Sequence, residues 1–250
     1  MPYREPAAKL IKESLSSNDA WNRLAELTDT FGPRLSGSEN LERAIEWAVA
    51  EMKKDGLDNV RTEPVMVPHW VRGRESAEIV LPVRAPLVMA GLGNSIGTPA
   101  DGITAELIVV KNWGDLDAHA SDVQGRIVLF NVAFTNYGET VQYRSDGASR
   151  AAKLGARAML LRSVGPAGLR TPHTGVLRYA DDAPQIPAAA ITAEDSERLQ
   201  RMQDRGARIS VRLQMEAKLL PDVPSANVIG EIRGSEHPEQ VVVVGGHFDS

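Results

Sequence analysis

Four consecutive valines, Val241–Val244, are the feature of this sequence that most restricts its fold. A strand exposed on one face alternates apolar and polar residues, whereas an unbroken apolar run is typical of a strand covered on both faces, as in the middle of an α/β sheet. The run is followed by the segment GGHFDS. Because the carboxyl ends of such strands face the crevice where open α/β sheets bind ligands, the sequence predicts a site at His247 and Asp249.

Composition narrows the class of protein. The chain has 250 residues, 42% of them apolar and 24% charged, as in a globular protein of one or two domains. Its net charge is −5 and no basic block is present, so nothing argues for nucleic acid or for an anionic membrane surface as a partner. The absence of cysteine excludes disulfides, thiolate metal sites and a cysteine nucleophile.

The first residues, MPYREPAAKLIKES, carry charges throughout and contain no apolar core of a signal peptide. No apolar run approaches the ~20 residues that a membrane span needs. From these two observations we expect a soluble protein without a signal peptide in the chain as given.

Two helices are predicted before residue 57. The first covers DAWNRLAELTDTF, which has apolar residues at helical spacing. The second is expected to begin at a capping box formed by Ser36 and Glu39, and to end near Gly56.

From about His69 the sequence changes to strands and turns rich in glycine and proline, and it includes two helices, the second with a capping pair of Thr192 and Asp195. The proline-flanked segment PDVPSA then acts as a linker. We therefore predict one α/β domain, made of residues 1–68 and 218–250, split by a β-rich insertion at residues 69–217.

Several other motifs favour plain structural interpretations. The segment GLGNSIG lacks the spacing and the following helix of a dinucleotide fingerprint, so its glycines are interpreted as turn glycines. Asp181 and Asp182 are interpreted as a solvated loop pair. Of the scattered histidines, which we interpret as surface or packing residues, only His173 lies in a loop that could reach a neighbouring site; the others are His69, His119 and His237.

The pair His247 and Asp249 is the strongest candidate for chemistry. A neutral imidazole suits zinc, and a carboxylate two positions later can fix its tautomer. The spacing alone leaves a second interpretation open, in which His247 is simply a hydrogen-bonded histidine at a strand end.

Read together, several blocks resemble the carboxypeptidase Q group of the di-zinc exopeptidases, a family that includes bacterial aminopeptidases. The resemblance runs in order and spacing from about Ala20 to Ser250. The blocks that carry it are TDTFGPRLSGSENLERAIEWAVAEMKKDGL, EPVMVPHWVRG, LGNSIGTPADGITAELIVV, NYGETVQYRSDGASRAAKLGARAMLLRSV, TPHTGVLRY, IPAAAIT and NVIGEIRGSEHPEQVVVVGGHFDS.

The resemblance implies a zinc-peptidase α/β/α sandwich with an inserted protease-associated domain, incomplete in this chain. It implies that His247 binds one of two zinc ions and that Asp249 is a catalytic-site residue supporting that imidazole. The family's other ligands and its glutamate general base have no counterpart here, so the resemblance implies the N-terminal portion of a longer peptidase, inactive by itself.

Other expectations follow from the same resemblance. The substrate would be a dipeptide or short peptide, a homodimer is allowed, and the location would be extracellular or periplasmic, with the cytoplasm as the alternative. Two other functions stay open: a non-catalytic relative of the peptidase fold, or a binding module built on the protease-associated insertion.

Overall fold

The computed structural model describes residues 3–250, which form seven helices and ten strands. The helices are α1 (Arg4–Ser16), α2 (Asp19–Phe31), α3 (Glu39–Lys54), α4 (Trp113–Ala118), α5 (Ala120–Val123), α6 (Tyr137–Lys153) and α7 (Ala193–Asp204). The strands are β1 (Asp58–Val71), β2 (Glu75–Leu81), β3 (Ala85–Leu87), β4 (Met89–Gly91), β5 (Ile103–Val110), β6 (Ile127–Phe130), β7 (Ala158–Arg162), β8 (Ala188–Ile191), β9 (Ser210–Met215) and β10 (Lys218–Glu231). The predicted α/β class is confirmed.

The chain divides into two compact units. The first, called the outer unit because it holds both ends of the chain, comprises Met1–His69 and Pro221–Ser250. The second, called the inner unit, comprises Trp70–Leu220.

Helix α3 packs in the outer unit through one apolar face. Its apolar stripe, Leu41, Ala44, Ile45 and Ala48, is buried, as the helical spacing predicts. The helix begins differently from the prediction. Its N-cap is Ser38, whose hydroxyl accepts from the backbone N–H of Leu41 at 3.2 Å. The expected capping box with Ser36 is therefore wrong.

Strands β1 and β10 form a two-stranded sheet. At one end of it, Glu231 accepts hydrogen bonds from Arg61 at 2.8 Å and from Asn59 at 2.9 Å. These contacts join residues 170 and 172 positions apart in the sequence. These hydrogen bonds thus join the early and late segments of the outer unit, and a local sequence pattern cannot predict them.

The inner unit is built on an eight-stranded mixed sheet with the order β3-β2-β9-β5-β6-β7-β8-β4. Strands β5 to β8 run parallel, and β6 and β7 are joined by helix α6. Strands β6, β7 and β8 are almost wholly buried, so they read as continuous apolar runs.

Helix α6 packs on this sheet through small residues. Gly147 lies where a Cβ would come within 3.0 Å of the Phe130 ring, and Ala148, Ala151 and Ala152 beside it are buried. A larger side chain on this face would push the helix away from β6.

Helix α7 is capped as predicted. The hydroxyl of Thr192 accepts from the backbone N–H of Asp195 at 3.1 Å. The buried carboxylate of Asp195 in turn accepts from the backbone N–H of Val88 at 3.0 Å and from Arg170 at 3.0 Å.

The prediction of a buried central strand at Val241–Val244 is wrong for this structure. The four side chains are 78–92% exposed, and the segment forms no strand. A run of β-branched residues favours an extended backbone, but a strand exists only when a neighbour supplies its ladder of hydrogen bonds. None of the ten strands in residues 3–250 pairs with this run.

Along residues 3–250, none of the helices combines the length and the apolar character that crossing a membrane requires.

Candidate active site

His247 and Asp249 face each other in the outer unit. Nδ1 of His247 lies 3.0 Å from Oδ1 of Asp249. The imidazole side chain is 92% exposed and the carboxylate is about half exposed. The two residues that the sequence singled out are therefore in direct contact, and the imidazole is open to solvent.

This contact has a chemical consequence. A carboxylate beside Nδ1 favours the tautomer in which Nδ1 carries the proton and donates it to the carboxylate. Nε2 then keeps its lone pair available for a metal ion or a proton. A histidine that donates its other N–H to a carboxylate is the usual arrangement around a metal-ligating imidazole.

The segment that carries the pair is attached to a loop near the start of the chain. Helix α2 ends at Phe31, and Gly32 closes it with a positive φ of 63° and a hydrogen bond to the Thr28 carbonyl. Arg34 follows in this loop and is 6% exposed.

Arg34 and Ser250 exchange a reciprocal pair of backbone hydrogen bonds, 2.8 Å from the Arg34 N–H and 3.0 Å from the Ser250 N–H. The guanidinium of Arg34 adds two more contacts: Nε donates to the Phe248 carbonyl at 3.1 Å, and Nη2 donates to Oγ of Ser250 at 2.7 Å. A third donor, Nη1, binds the Gly32 carbonyl at 2.6 Å. Arg34 therefore connects the end of α2 to the segment that contains His247 and Asp249.

Sequence reasoning did not identify Arg34. Its side-chain partners lie 214 and 216 positions later, so no local spacing links them. The one available signal was an arginine inside GPRLSGS, a loop of otherwise uncharged residues between two helices.

The donor chemistry of the pair fits one ligand position for zinc. Imidazole nitrogen is a common zinc ligand, and the Asp249 carboxylate supplies the support that such a ligand normally has. In residues 3–250, however, no group of three or more His, Asp or Glu side chains is placed to hold a metal ion. The pair therefore offers one candidate ligand position, and the described residues do not form a complete metal site.

The rings of two other histidines, His119 and His237, contact residues close to them in the sequence. Nδ1 of His119 lies 2.9 Å from the Asp115 carbonyl, and Nδ1 of His237 lies 3.3 Å from Oε1 of Glu239. His173 is exposed, and its backbone N–H donates to Oγ of Ser163.

The acidic and glycine-rich candidates have structural roles in the inner unit. Asp181 and Asp182 are exposed, and the hydrogen bond from Lys153, 2.7 Å long, lowers the pKa of Asp182. In GLGNSIG, no helix follows the glycines. A Cβ at Gly97 would lie 2.7 Å from the Met215 carbonyl oxygen, so this glycine permits close packing.

Comparison with known proteins agrees with these features. Residues 83–199 match the PA domain family, which confirms the expected protease-associated insertion. Carboxypeptidase Q from Bos taurus is 52% identical over 251 aligned residues, covering 99% of this chain and 53% of that protein. The resemblance to the carboxypeptidase Q group is thus confirmed across nearly the whole chain, which spans about half the length of the curated relatives it matches.

Solved structures give the same fold. An M28 peptidase precursor from Shewanella amazonensis SB2B superposes with a TM-score of 0.93 at 36% identity, covering 98% of this chain and 57% of that one. A zinc aminopeptidase from Bacillus subtilis superposes with a TM-score of 0.59 at 20% identity, covering 87% of this chain and 47% of that one. The first confirms the zinc-peptidase fold class with its insertion, and the second is a likeness of fold.

Proposed function

We propose that this chain, which resembles carboxypeptidase Q over nearly its whole length, supplies the His247 ligand position of a zinc-dependent exopeptidase that hydrolyses dipeptides or short peptides. The observation that carries the proposal is the contact between His247 and Asp249, 3.0 Å long, at an imidazole that is largely exposed. The similarity to carboxypeptidase Q and to an M28 peptidase supports the reaction class.

Each residue of the pair has a separate role in this proposal. His247 offers Nε2 as a metal ligand, and Asp249 accepts a hydrogen bond from Nδ1–H, which fixes the tautomer that leaves the Nε2 lone pair available. Bound zinc would act as a Lewis acid and lower the pKa of a water molecule near the scissile peptide bond.

The proposal also limits what residues 1–250 can do alone. A catalytic zinc normally has three protein ligands and one open position. Because the described residues contain one such ligand position, we expect weak zinc binding and no peptidase activity from the 250-residue chain.

A chimera tests the proposal directly. Residues 1–250 would replace the segment of Bos taurus carboxypeptidase Q to which they align, and dipeptide hydrolysis and zinc content would be measured together. We expect an active chimera in which His247→Ala lowers activity by at least ~100-fold and reduces the bound zinc, since one ligand is lost.

The matched control is His237→Ala, because His237 also has a carboxylate two positions later and lies on the same segment. This variant should keep both activity and zinc. Full activity and full zinc content in the His247→Ala chimera would show that His247 is not a ligand. Robust dipeptide hydrolysis by the 250-residue chain would contradict the limit stated above.

A further inference from the structure

Arg34 makes four hydrogen bonds with the segment after His247, two from its side chain and two through its backbone. Of the donors on its side chain, Nε and Nη2 bind the backbone of Phe248 and the hydroxyl of Ser250. Its own backbone exchanges two hydrogen bonds with Ser250. The side chain of Arg34 is buried although Ser250 is exposed and Phe248 is half-buried, and the buried charge is stabilised by the acceptors on these two residues.

The pattern of these contacts is selective. Arg34 binds positions 248 and 250, while His247 and Asp249 bind each other. Arg34 therefore holds the segment through positions 248 and 250, while the imidazole and the carboxylate contact each other.

We propose that Arg34 is a positioning residue for the candidate metal ligand: its guanidinium binds the Phe248 carbonyl and the Ser250 hydroxyl and thereby directs His247 and Asp249 into contact. This inference rests on the proposed function for its catalytic meaning. Its structural content concerns this chain alone and is testable without metal.

The local attachment is tested by hydrogen exchange of the Ser250 amide in the 250-residue chain. Arg34→Gln removes the charged donors, and we expect exchange at Ser250 to accelerate ~10–100-fold, the range that hydrogen bonds to a charged group imply. The matched control is Arg23→Gln, which removes an outer-unit arginine bound to Asp55 and away from this segment. It should leave Ser250 exchange unchanged.

A spectroscopic measurement reports on His247 itself. Ring ¹⁵N chemical shifts at a pH where the imidazole is neutral distinguish its two tautomers. In the native chain the Nδ1–H tautomer should dominate, and Arg34→Gln should shift the ring toward the Nε2–H form. A general loss of stability does not produce this change while the chain stays folded.

Ser250→Ala covers the case in which Arg34→Gln fails to fold, since Ser250 is exposed and its hydroxyl can be removed without disturbing a core. It should accelerate exchange of the amide at position 250 in the native background and have no added effect beside Arg34→Lys, because the two side chains act through one contact. Unchanged exchange and an unchanged tautomer in both single variants would overturn the proposal.

The chimera described above separates the two proposals. With Arg34→Gln we expect kcat to fall ~10–100-fold, with a smaller change in KM, because ligand orientation and not substrate binding is disturbed. Full activity of this variant in a chimera that depends on His247 would overturn the positioning role alone. If the chimera is active without His247, the proposed function fails, and the exchange and tautomer data still decide what Arg34 does.

Discussion

Gly37 approaches His69 so closely that a Cβ at position 37 would lie 3.1 Å from the Cβ of His69, and 3.0 Å from Cγ2 of Val223. Gly37 also has a φ of +78°, which side chains rarely adopt. The loop between α2 and α3 is therefore attached at two points: at Arg34 to the segment of the candidate site, and at Gly37 to residues of β1 and β10.

Gly37→Ala should destabilise the protein more than Gly56→Ala. Both glycines have a φ of +78°, so both substitutions carry the cost of a left-handed backbone, about 1–2 kcal/mol. Nothing lies within 4 Å of a Cβ at Gly56, whereas the neighbours of Gly37 must move. We expect a further loss of about 1–3 kcal/mol at position 37. Urea denaturation of the two variants measures this difference, and equal midpoints would show that the loop accommodates the methyl group.

Asp249→Asn tests the support behind His247. The amide keeps the shape of the carboxylate but loses the negative charge that favours a proton on Nδ1, so we expect activity of the chimera to fall ~10–100-fold. Glu239→Gln is the control, since Glu239 makes the corresponding contact with His237. Equal activity in the two variants would remove Asp249 from the site.

The sequence located the two candidate residues because both lie in one short motif. His247 and Asp249 are two positions apart, and the contact between their side chains follows from that spacing. Arg34 could not be found in this way, because its partners lie more than 200 positions away and the pairing depends on how the chain returns.

The prediction of helices and strands has the same limit, since it uses only patterns among neighbouring residues. The predicted cap of α7 by Thr192 is confirmed, since the cap and its partner, Asp195, are only three positions apart. At α3 the sequence predicts Ser36 as the cap, whereas the structure has Ser38 at the N-cap. The valine run at 241–244 indicated an extended, covered segment, but a hydrophobic pattern does not specify which strand supplies the hydrogen bonds. Neither periodicity nor propensity contains that information.

Tyr179 makes the stability of the inner unit sensitive to alkaline pH. Burial raises the pKa of its phenol, although the hydrogen bond from the Ile96 N–H opposes the shift. The hydroxyl donates to the Ile186 carbonyl at 2.6 Å, which requires the protonated form. A pKa raised by folding gives a contribution that is complete below the unfolded value of about 10 and is lost as the pH rises through the folded value.

Tyr179→Phe should therefore lower stability at neutral pH by about 1–3 kcal/mol, since the hydrogen bonds with the Ile186 carbonyl and the Ile96 N–H are both lost, and flatten the decline above about pH 10. Denaturation midpoints at several pH values from neutral to alkaline measure both effects. Tyr3→Phe, which removes an exposed hydroxyl from the outer unit, serves as the control. A decline of unchanged steepness in Tyr179→Phe would assign the alkaline sensitivity to other groups.

The exposed valine run should make the 250-residue chain prone to self-association. Val242 and Val244 are 88% and 92% exposed, and an unpaired apolar β-branched segment favours pairing between chains. The double variant Val242→Lys, Val244→Lys should raise the concentration at which the chain stays monomeric, because charges oppose such pairing, and should leave the melting temperature unchanged. Light scattering measures the concentration at which the chain associates, and thermal denaturation measures the melting temperature.

The matched control is the double variant Leu10→Lys, Leu15→Lys, since these side chains are 72% and 82% exposed but lie on helix α1. An equal gain from the helical pair would show that exposed apolar area, and not the valine run, drives association. A lowered melting temperature in the valine variant would show that the run is packed in the folded chain.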